Sequence, residues 1–399
     1  MPPQANEIDS ILAQFKPTIF KNRSVLDLEY VPDVIIGRKI QKQEILGNLI
    51  CLENKEKPMH MLLLGSTGTG KTLLAKYLVN GLQERLGGSF KCAYVSGSGT
   101  AMSQLKAITT KLCGFIPLGH LRGYSEMFEY LKQQLEQNKN EYVVIIIDEL
   151  DKVLGADAQK LFYSLTKETD RVVVIGISND SAKVLEILDV KLDSAFKKMT
   201  VHFPEYTYEE LHEILLDRIE IAFKDSVISE RCLEYCVEAV CSHCGDARFA
   251  LALLRLAGLH AQTAGQQTIN KQNIDESATE LDRHFVIEPV LKLPQPEQLM
   301  LYCLIDVGPE ITVPMHRTRA DVYASYNNLA KKEGFPVYSN KALYTYLSRL
   351  EAKRLVSTWV KGKGRGAGTE WLVAIREDLP AEDIKKAIEG ALFDGRVVF

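Results

Sequence analysis

Residues Gly65 to Thr72 read Gly-Ser-Thr-Gly-Thr-Gly-Lys-Thr, a complete G-x-x-x-x-G-K-[ST] set. They stand between an apolar run, Met61 to Leu64, and a helical pattern, Lys71 to Leu86. The motif needs a strand to deliver the loop and a helix N-terminus behind it, so it fixes a strand-loop-helix unit of an α/β domain. Gly68 and Gly70 permit turns that aim successive backbone N–H groups at phosphate oxygens, with Gly65, Ser66, Thr67 and Thr69 completing the cradle. Lys71 is placed to reach β and γ phosphates, and the Thr72 hydroxyl to join a magnesium shell. The expected ligands are ATP or ADP with Mg2+.

A phosphate loop of this type requires an acidic partner strand. Val143 to Ile147 is apolar throughout and delivers Asp148 and Glu149 to its end. Asp148 would orient magnesium or its water ligands, and Glu149 would act as general base on a water attacking the γ phosphate. Asp151 and Lys152 read as surface or helix-start residues. A second apolar strand, Val172 to Ile177, ends in Ser178-Asn179-Asp180, which makes Asn179 a candidate to hold the γ phosphate or the lytic water. Further on, Gly245-Asp246-Ala247-Arg248 opens a strongly apolar helix, from which Arg248 is expected to reach nucleotide phosphates.

From His60 the chain alternates strand-like and helical runs, which argues for a mostly parallel sheet in which Val143 to Ile147 and Val172 to Ile177 are central. After about Pro204 only helical periodicity follows, through Tyr208 to Ile221, Ser229 to Ala239, Arg248 to Thr263 and Lys271 to Phe285. A break marked by Pro289, Pro294 and Pro296 then leads into a last region. The expected division is a nucleotide-binding α/β domain at 1–205, a helical lid at 206–288 and a winged-helix domain at 289–399, a multidomain α/β chain built on a P-loop NTPase core. The 399 residues and 46% hydrophobic content accommodate it and exclude a peptide-sized module or a disordered tail. The apolar runs are far too short to span a bilayer, and the eight cysteines are too sparse for a disulfide scaffold, so the expectation is a cytoplasmic protein without membrane contact.

The total of 48 Lys and Arg against 52 Asp and Glu, a net charge of -4, does not announce a polyanion partner. From Ile311 to Ile375, however, 11 basic residues face four acids, so this segment carries +7 and the remainder -11. Asp321 to Glu333, a Gly334-Phe335-Pro336 break and Ser339 to Lys353 read as helix, turn and helix, with Ser339 as N-cap. In the latter helix Leu343, Tyr346, Leu347 and Leu350 form the apolar face. Lys341, Tyr344, Thr345 and Ser348 are left to meet a major groove. Two strands, Val356 to Val360 and Glu370 to Ile375, flank a loop running from Lys361 through Lys363 and Arg365 to Gly368, the wing that would reach phosphates or a minor groove. Trp359 and Trp371 are expected to pack across this hairpin. Cys232, Cys236, Cys241 and Cys244 with His243 invite a zinc reading, but the first two sit at helical spacing among apolar residues and read as buried thiols.

With these segments in order, the sequence resembles the archaeal Orc1/Cdc6 replication initiators, a branch of the AAA+ ATPases. Ile36-Gly37-Arg38-Lys39 with Gln43 is similar to the family's segment flanking adenine, so Arg38 joins the implied nucleotide contacts. Val144 to Asp151 is similar to its Walker B stretch, Ile177 to Asp180 to its sensor 1 and Gly245 to Gly258 to its sensor 2 helix. The segment Phe115 to Tyr124, with Arg122, occupies the place of a helical insertion that contacts origin DNA in the family. After sensor 1 the family carries basic residues that act on a neighbour's nucleotide. Here Ala195 stands where arginine is common, followed by Lys197 and Lys198, which cannot reproduce an arginine fork and imply weak hydrolysis. The resemblance implies an initiator that binds double-stranded origin DNA, is nucleoid-associated, switches with its ATP or ADP state and hydrolyses slowly. Its implied partners are a replicative helicase and other initiator copies or paralogues. The competing readings are a non-hydrolysing, nucleotide-bound DNA-binding regulator and a clamp-loader-like AAA+ ATPase.

Overall fold

The computed structural model describes residues 19–87, 90–114, 116, 123–137, 141–152, 155–179, 184, 199–242, 245–306, 317–353, 355–362, 369–376 and 379–393. The chain divides into two compact units, Asn22–Ala222 with Gly245–Leu251, and Met1–Lys21 with Phe223–Cys244 and Ala252–Phe399.

In the first unit the described helices are α1 (Lys39–Leu49), α2 (Lys71–Arg85), α3 (Ala101–Cys113), α4 (Tyr124–Gln137), α5 (Gly155–Lys167) and α6 (Tyr208–Ala222). They accompany strands β1 (Met61–Gly65), β2 (Phe90–Ser96), β3 (Tyr142–Asp148), β4 (Val172–Ser178) and β5 (Thr200–Phe203). The strands form one sheet in the order β2-β3-β4-β1-β5, with every pair parallel. The period of two along each strand distributes the apolar runs to both faces. Leu62, Ile145 and Val174 pack with Leu105 of α3, Leu131 of α4 and Phe162 of α5 on one side. Met61, Ile146 and Ile175 pack with Ile45 of α1 and Leu74 of α2 on the other. β3 and β4 are each paired on two sides, so both are interior strands as their composition predicts.

Strand β5 is an addition to the sequence reading. It is only four residues long, and its alternation, with Val201 and Phe203 buried and His202 exposed, is too short to register as periodicity. Its pairing with β1 explains the first glycine of the phosphate loop, because a Cβ on Gly65 would lie 2.2 Å from the Phe203 carbonyl oxygen.

The second unit holds α7 (Glu230–Ser242), the later turns of α8 (Ala247–Thr263) and α9 (Lys271–Asp282). Phe20 and Phe223 stack with centroids 4.8 Å apart against Gly258 of α8, where a Cβ would come within 2.5 Å of the Phe20 ring. The expected break at Pro289 is displaced. After α9 the chain passes through a π turn, Arg283–Ile287, directly into a helical turn, Glu288–Leu291, with Pro289 at its start. Proline lacks only an N–H at such a position, so the helical path continues and ends before Pro294.

The remaining elements are α10 (Gln295–Ile305), α11 (Arg319–Glu333), α12 (Asn340–Ala352), α13 (Ala381–Leu392) and a sheet of β6 (Arg317–Thr318), β8 (Thr369–Ile375) and β7 (Val356–Gly362), paired antiparallel in that order. α10 is buried from Glu297 to Ile305 and forms the centre of this core. α11 starts earlier than expected because the Thr318 hydroxyl accepts from the Asp321 N–H at 3.1 Å. Gly334, with φ +70°, ends it, and Ser339 caps α12 as expected, accepting from Ala342 N at 3.4 Å.

Candidate nucleotide site and nucleic-acid interface

The parallel strand ends converge on a cavity of about 740 Å³ within the first unit. Thr67, Gly68, Gly70, Lys71 and Thr72 contribute to its wall, as do Asp148, Glu149, Asn179 and Arg248. Gly68 and Gly70 have φ of +77° and +83°, conformations that side chains with a Cβ rarely adopt. Lys71 is 5% exposed and its Nζ donates to the carbonyls of Gly65 at 2.9 Å and Ser66 at 2.5 Å. The Thr69 hydroxyl, also buried, donates to the same Ser66 carbonyl at 2.8 Å, so Gly65, Ser66 and Thr69 shape the loop from behind.

Thr72 Oγ1 donates to Asp148 Oδ2 at 2.8 Å, which ties the phosphate loop to the acidic strand. The Tyr94 hydroxyl donates to the same oxygen at 2.6 Å, a contact with no motif to reveal it. Burial, reinforced by this bond to Asp148, holds the Tyr94 phenol above its ordinary range, so it remains a donor. A carboxylate with two hydroxyls around it is a hard-oxygen cluster of the kind magnesium takes, and Thr72 with Asp148 would hold that ion. When bound, magnesium neutralises phosphate charge.

Glu149 has φ +53°, a strained backbone that turns the chain sharply after β3. Lys152 Nζ lies 2.5 Å from one carboxylate oxygen, and Ser96 Oγ donates to the other at 3.4 Å. Asp151 and Lys152, read from sequence as surface or helix-start residues, therefore have partners in the site. Asp151 Oδ1 accepts from Ser178 Oγ at 2.8 Å and from the Asn179 N–H at 3.4 Å, joining the end of β3 to the end of β4.

Asp246 caps α8 and holds Arg248 through Oδ1–Nε at 3.2 Å and Oδ2–Nη2 at 2.7 Å. The cap packs directly on the phosphate loop, since a Cβ on Gly68 would lie 1.8 Å from Asp246 Oδ1 and Ala247 N donates to the Gly68 carbonyl at 3.3 Å. Arg38 differs from the expectation. It is 3% exposed and lies off the cavity wall, donating to the Pro204 carbonyl at 2.7 Å with its guanidinium 3.8 Å from the Tyr206 ring centroid. Tyr206 does line the cavity, so Arg38 stands behind a wall residue. The local reason is that Gly37 and Arg38 both take left-handed conformations, which turn the side chain inward.

In the second unit, Leu343, Leu347 and Leu350 are buried, while Lys341, Tyr344 and Thr345 are exposed and Ser348 is half-buried. The surface face of α12 is thus the one its periodicity indicates. Thr345 Oγ1 donates back to the Lys341 carbonyl at 3.2 Å. The two tryptophans do not face each other. Register pairs Trp359 with Leu372 and Val360 with Trp371, and successive residues of a strand point to opposite faces. Trp371 instead stacks on Arg319, whose guanidinium lies 4.3 Å from that ring and 4.9 Å from the ring of Tyr344. Arg319 therefore joins α12 to the hairpin, a link invisible to spacing because it sits on neither.

Lys361 lies in β7, its side chain outside the described set, and Lys363, Arg365, Arg122, Ala195, Lys197 and Lys198 are outside the described residues. So are His243 and Cys244, while Cys236 is a buried thiol whose pKa burial pushes up to about 12. Among the described residues no helix is long and apolar enough to cross a membrane.

Three family models match this chain in sequence. Residues 61–200 match the ATPase family associated with various cellular activities, residues 212–279 the Cdc6 AAA+ ATPase-type lid domain and residues 288–387 the Cdc6 C-terminal winged helix domain. The ORC1-type DNA replication protein 1 of Sulfurisphaera tokodaii is 30% identical over 383 residues, covering 93% of this chain and 94% of that one. An ORC1-type DNA replication protein of Methanothermobacter thermautotrophicus is 29% identical over 378 residues, covering 94% and 99%. Among solved structures, the Aeropyrum pernix Orc1 protein in complex with DNA superimposes with a TM-score of 0.71 at 28% identity, covering 96% of this chain and 100% of that one. The chain belongs to the Orc1/Cdc6 family of replication proteins, with an AAA+ core, a helical lid and a C-terminal winged helix.

Proposed function

We propose that this protein is an ATP-dependent replication initiator that binds duplex origin DNA and changes its partner contacts with its nucleotide state. The observation that carries the reading is the correspondence over nearly the whole chain with an Orc1 protein solved on DNA, joined to a cavity in which Lys71, Asp148, Glu149, Asn179 and Arg248 meet. The proposed division of labour is nucleotide binding by 1–205, a lid at 206–288 and DNA recognition by 289–399.

In the nucleotide site, Lys71 exchanges the loop carbonyls it now binds for phosphate oxygens, a substitution favoured by charge. Glu149 takes a proton from the attacking water, and Asn179, tethered through Asp151, orients that water or the γ phosphate. Slow hydrolysis is supported by the engagement of Glu149 with Lys152 and Ser96, contacts that must open before the carboxylate is free. On the DNA side, Lys341, Tyr344, Thr345 and Ser348 present α12 to the major groove, and Lys361, Lys363 and Arg365 supply phosphate contacts from the wing. Arg122 is a proposed minor contact, and a replicative helicase and further initiator copies are the proposed partners.

The test is binding of genomic fragments by the full chain, with ATP or ADP, across a salt series, beside Lys363→Ala/Arg365→Ala and Glu149→Gln. Selective enrichment of a few chromosomal loci, a reduced salt slope in the wing variant and ATP binding without hydrolysis in Glu149→Gln are expected. Binding without locus preference and an unchanged salt slope would overturn the origin assignment. Absence of hydrolysis in the wild type with and without DNA would leave a nucleotide-bound DNA-binding regulator, a reading that the engaged state of Glu149 also supports.

A further inference from the structure

Arg218 lies on α6, one turn after Ile214, and both side chains face the nucleotide cavity. The residue is 6% exposed, and its guanidinium sits 4.9 Å from the centroid of the Tyr30 ring, another wall residue. Its Nε and Nη1 are buried without any hydrogen-bond partner. Asp217 Oδ2 is 3.4 Å from Nη1 but outside hydrogen-bond geometry, so it balances charge without satisfying the donor. Buried cationic donors left unmade are expensive, and native folds seldom keep them unless something supplies the acceptor.

The cavity wall indicates what that acceptor is. The phosphate loop, Lys71, Thr72 and Asp148 account for the charged part of a nucleotide. Leu28, Tyr30, Val31, Ile36, Ile214 and Leu251 give the same cavity an apolar lining suited to a flat heterocycle. Arg218 touches this apolar set through Tyr30 and follows Ile214 at helical spacing.

We propose that Arg218 is a base-reading residue, donating from its buried guanidinium to a ring-nitrogen acceptor of the purine of the bound nucleotide. The inference rests on the nucleotide-binding reading above and specifies how that site selects its ligand. Donation to an acceptor edge from a buried guanidinium favours bases that present such an acceptor and penalises those that do not, because the donors are then left unpaired. Tyr30 holds the guanidinium plane from one side, which limits the directions in which Nε–H and Nη1–H can point. The arginine fork matters here, since lysine offers no planar pair of donors.

The experiment measures equilibrium binding of ATP, 1-deaza-ATP, 3-deaza-ATP, 7-deaza-ATP, 2′-deoxy-ATP and tripolyphosphate to the full chain. It uses the wild type, Arg218→Met and Arg218→Lys. Wild type is expected to bind one deaza analogue about tenfold or more weakly than ATP, and Arg218→Met to bind ATP weakly by a similar factor and no longer distinguish that analogue. Tripolyphosphate affinity and the thermal midpoint without nucleotide should stay near wild type in Arg218→Lys, which keeps charge and stem while losing the fork. Loss of discrimination against 2′-deoxy-ATP alone would move the contact to the ribose and overturn base reading. Equal loss of tripolyphosphate binding would move it to the phosphates. Unchanged affinity and selectivity in both variants would leave Arg218 a packing residue. Failure of wild type to bind ATP at all would instead remove the underlying nucleotide reading.

Discussion

His60 immediately precedes β1 and is 8% exposed. Its Nδ1 accepts the Val174 backbone N–H at 3.0 Å, and the ring also bonds the Thr166 backbone. Protonating Nδ1 would set one N–H against another inside the sheet. Burial, with Lys57 and Lys167 adding positive potential, lowers the imidazole pKa to about 4. The folded state thus binds fewer protons than the unfolded state between pH 4 and about 6.5, so stability rises with pH across that window. The contribution is fully present above about pH 6.5 and is lost as the pH falls towards 4, the loss reaching about 2 kcal/mol at pH 5 and about 3 kcal/mol near pH 4. His60→Asn keeps an acceptor for Val174 and removes the titration. Urea denaturation of the full chain should be followed by pulsed hydrogen exchange of peptides covering β1 and β4, at steps from pH 7 to pH 4. Wild type is expected to be the more stable at pH 7, and the difference to shrink or reverse by pH 5. Parallel pH dependences would refute the argument, showing that His60 charges in the fold without penalty.

Two further perturbations address the site and the winged helix. Tyr94→Phe removes one of the hydroxyls on Asp148 Oδ2 and should raise the magnesium concentration for half-maximal ATP hydrolysis about tenfold, leaving metal-free nucleotide affinity unchanged; a magnesium titration superimposable on wild type would make the tyrosine purely structural. Glu297 of α10 is 1% exposed and paired to Lys353 at 2.6 Å and Arg349 at 3.5 Å. Lys353→Met should destabilise the winged-helix core by about 2 kcal/mol, below the roughly 3–5 kcal/mol of a fully buried pair because the lysine is half in solvent and Arg349 remains. Thermal melts followed by the fluorescence of Trp359 and Trp371 report this change, and an unaltered midpoint would contradict it.

Much of the chemistry was legible in order of residues because local geometry carries it. Gly65 to Thr72 states its own backbone requirement, and the apolar runs of β3 and β4 announce interior strands that lead to Asp148 and Asn179. The spacing of Leu343, Leu347 and Leu350 leaves Lys341, Tyr344 and Thr345 outside, as found. The +7 segment likewise needed only local counting. Contacts that depend on register or on inward rotation of a side chain were not legible. Trp359 and Trp371 look adjacent across a hairpin until the pairing places them on opposite faces. Arg38 looks like a nucleotide contact until two left-handed residues turn it beneath Tyr206.

The sequence by itself therefore determined the classes of element, the phosphate-binding loop and the location of the basic segment, since turn chemistry, hydrophobic period and charge are properties of neighbouring residues. Only the tertiary structure decided that Tyr94 shares an oxygen with Thr72, that Asp151 tethers Asn179, that Asp246 holds Arg248 over the phosphate loop and that Arg218 keeps unpaired donors in the cavity. Each joins residues far apart along the chain through a side chain whose direction is set by packing, and no periodicity or motif encodes such a meeting.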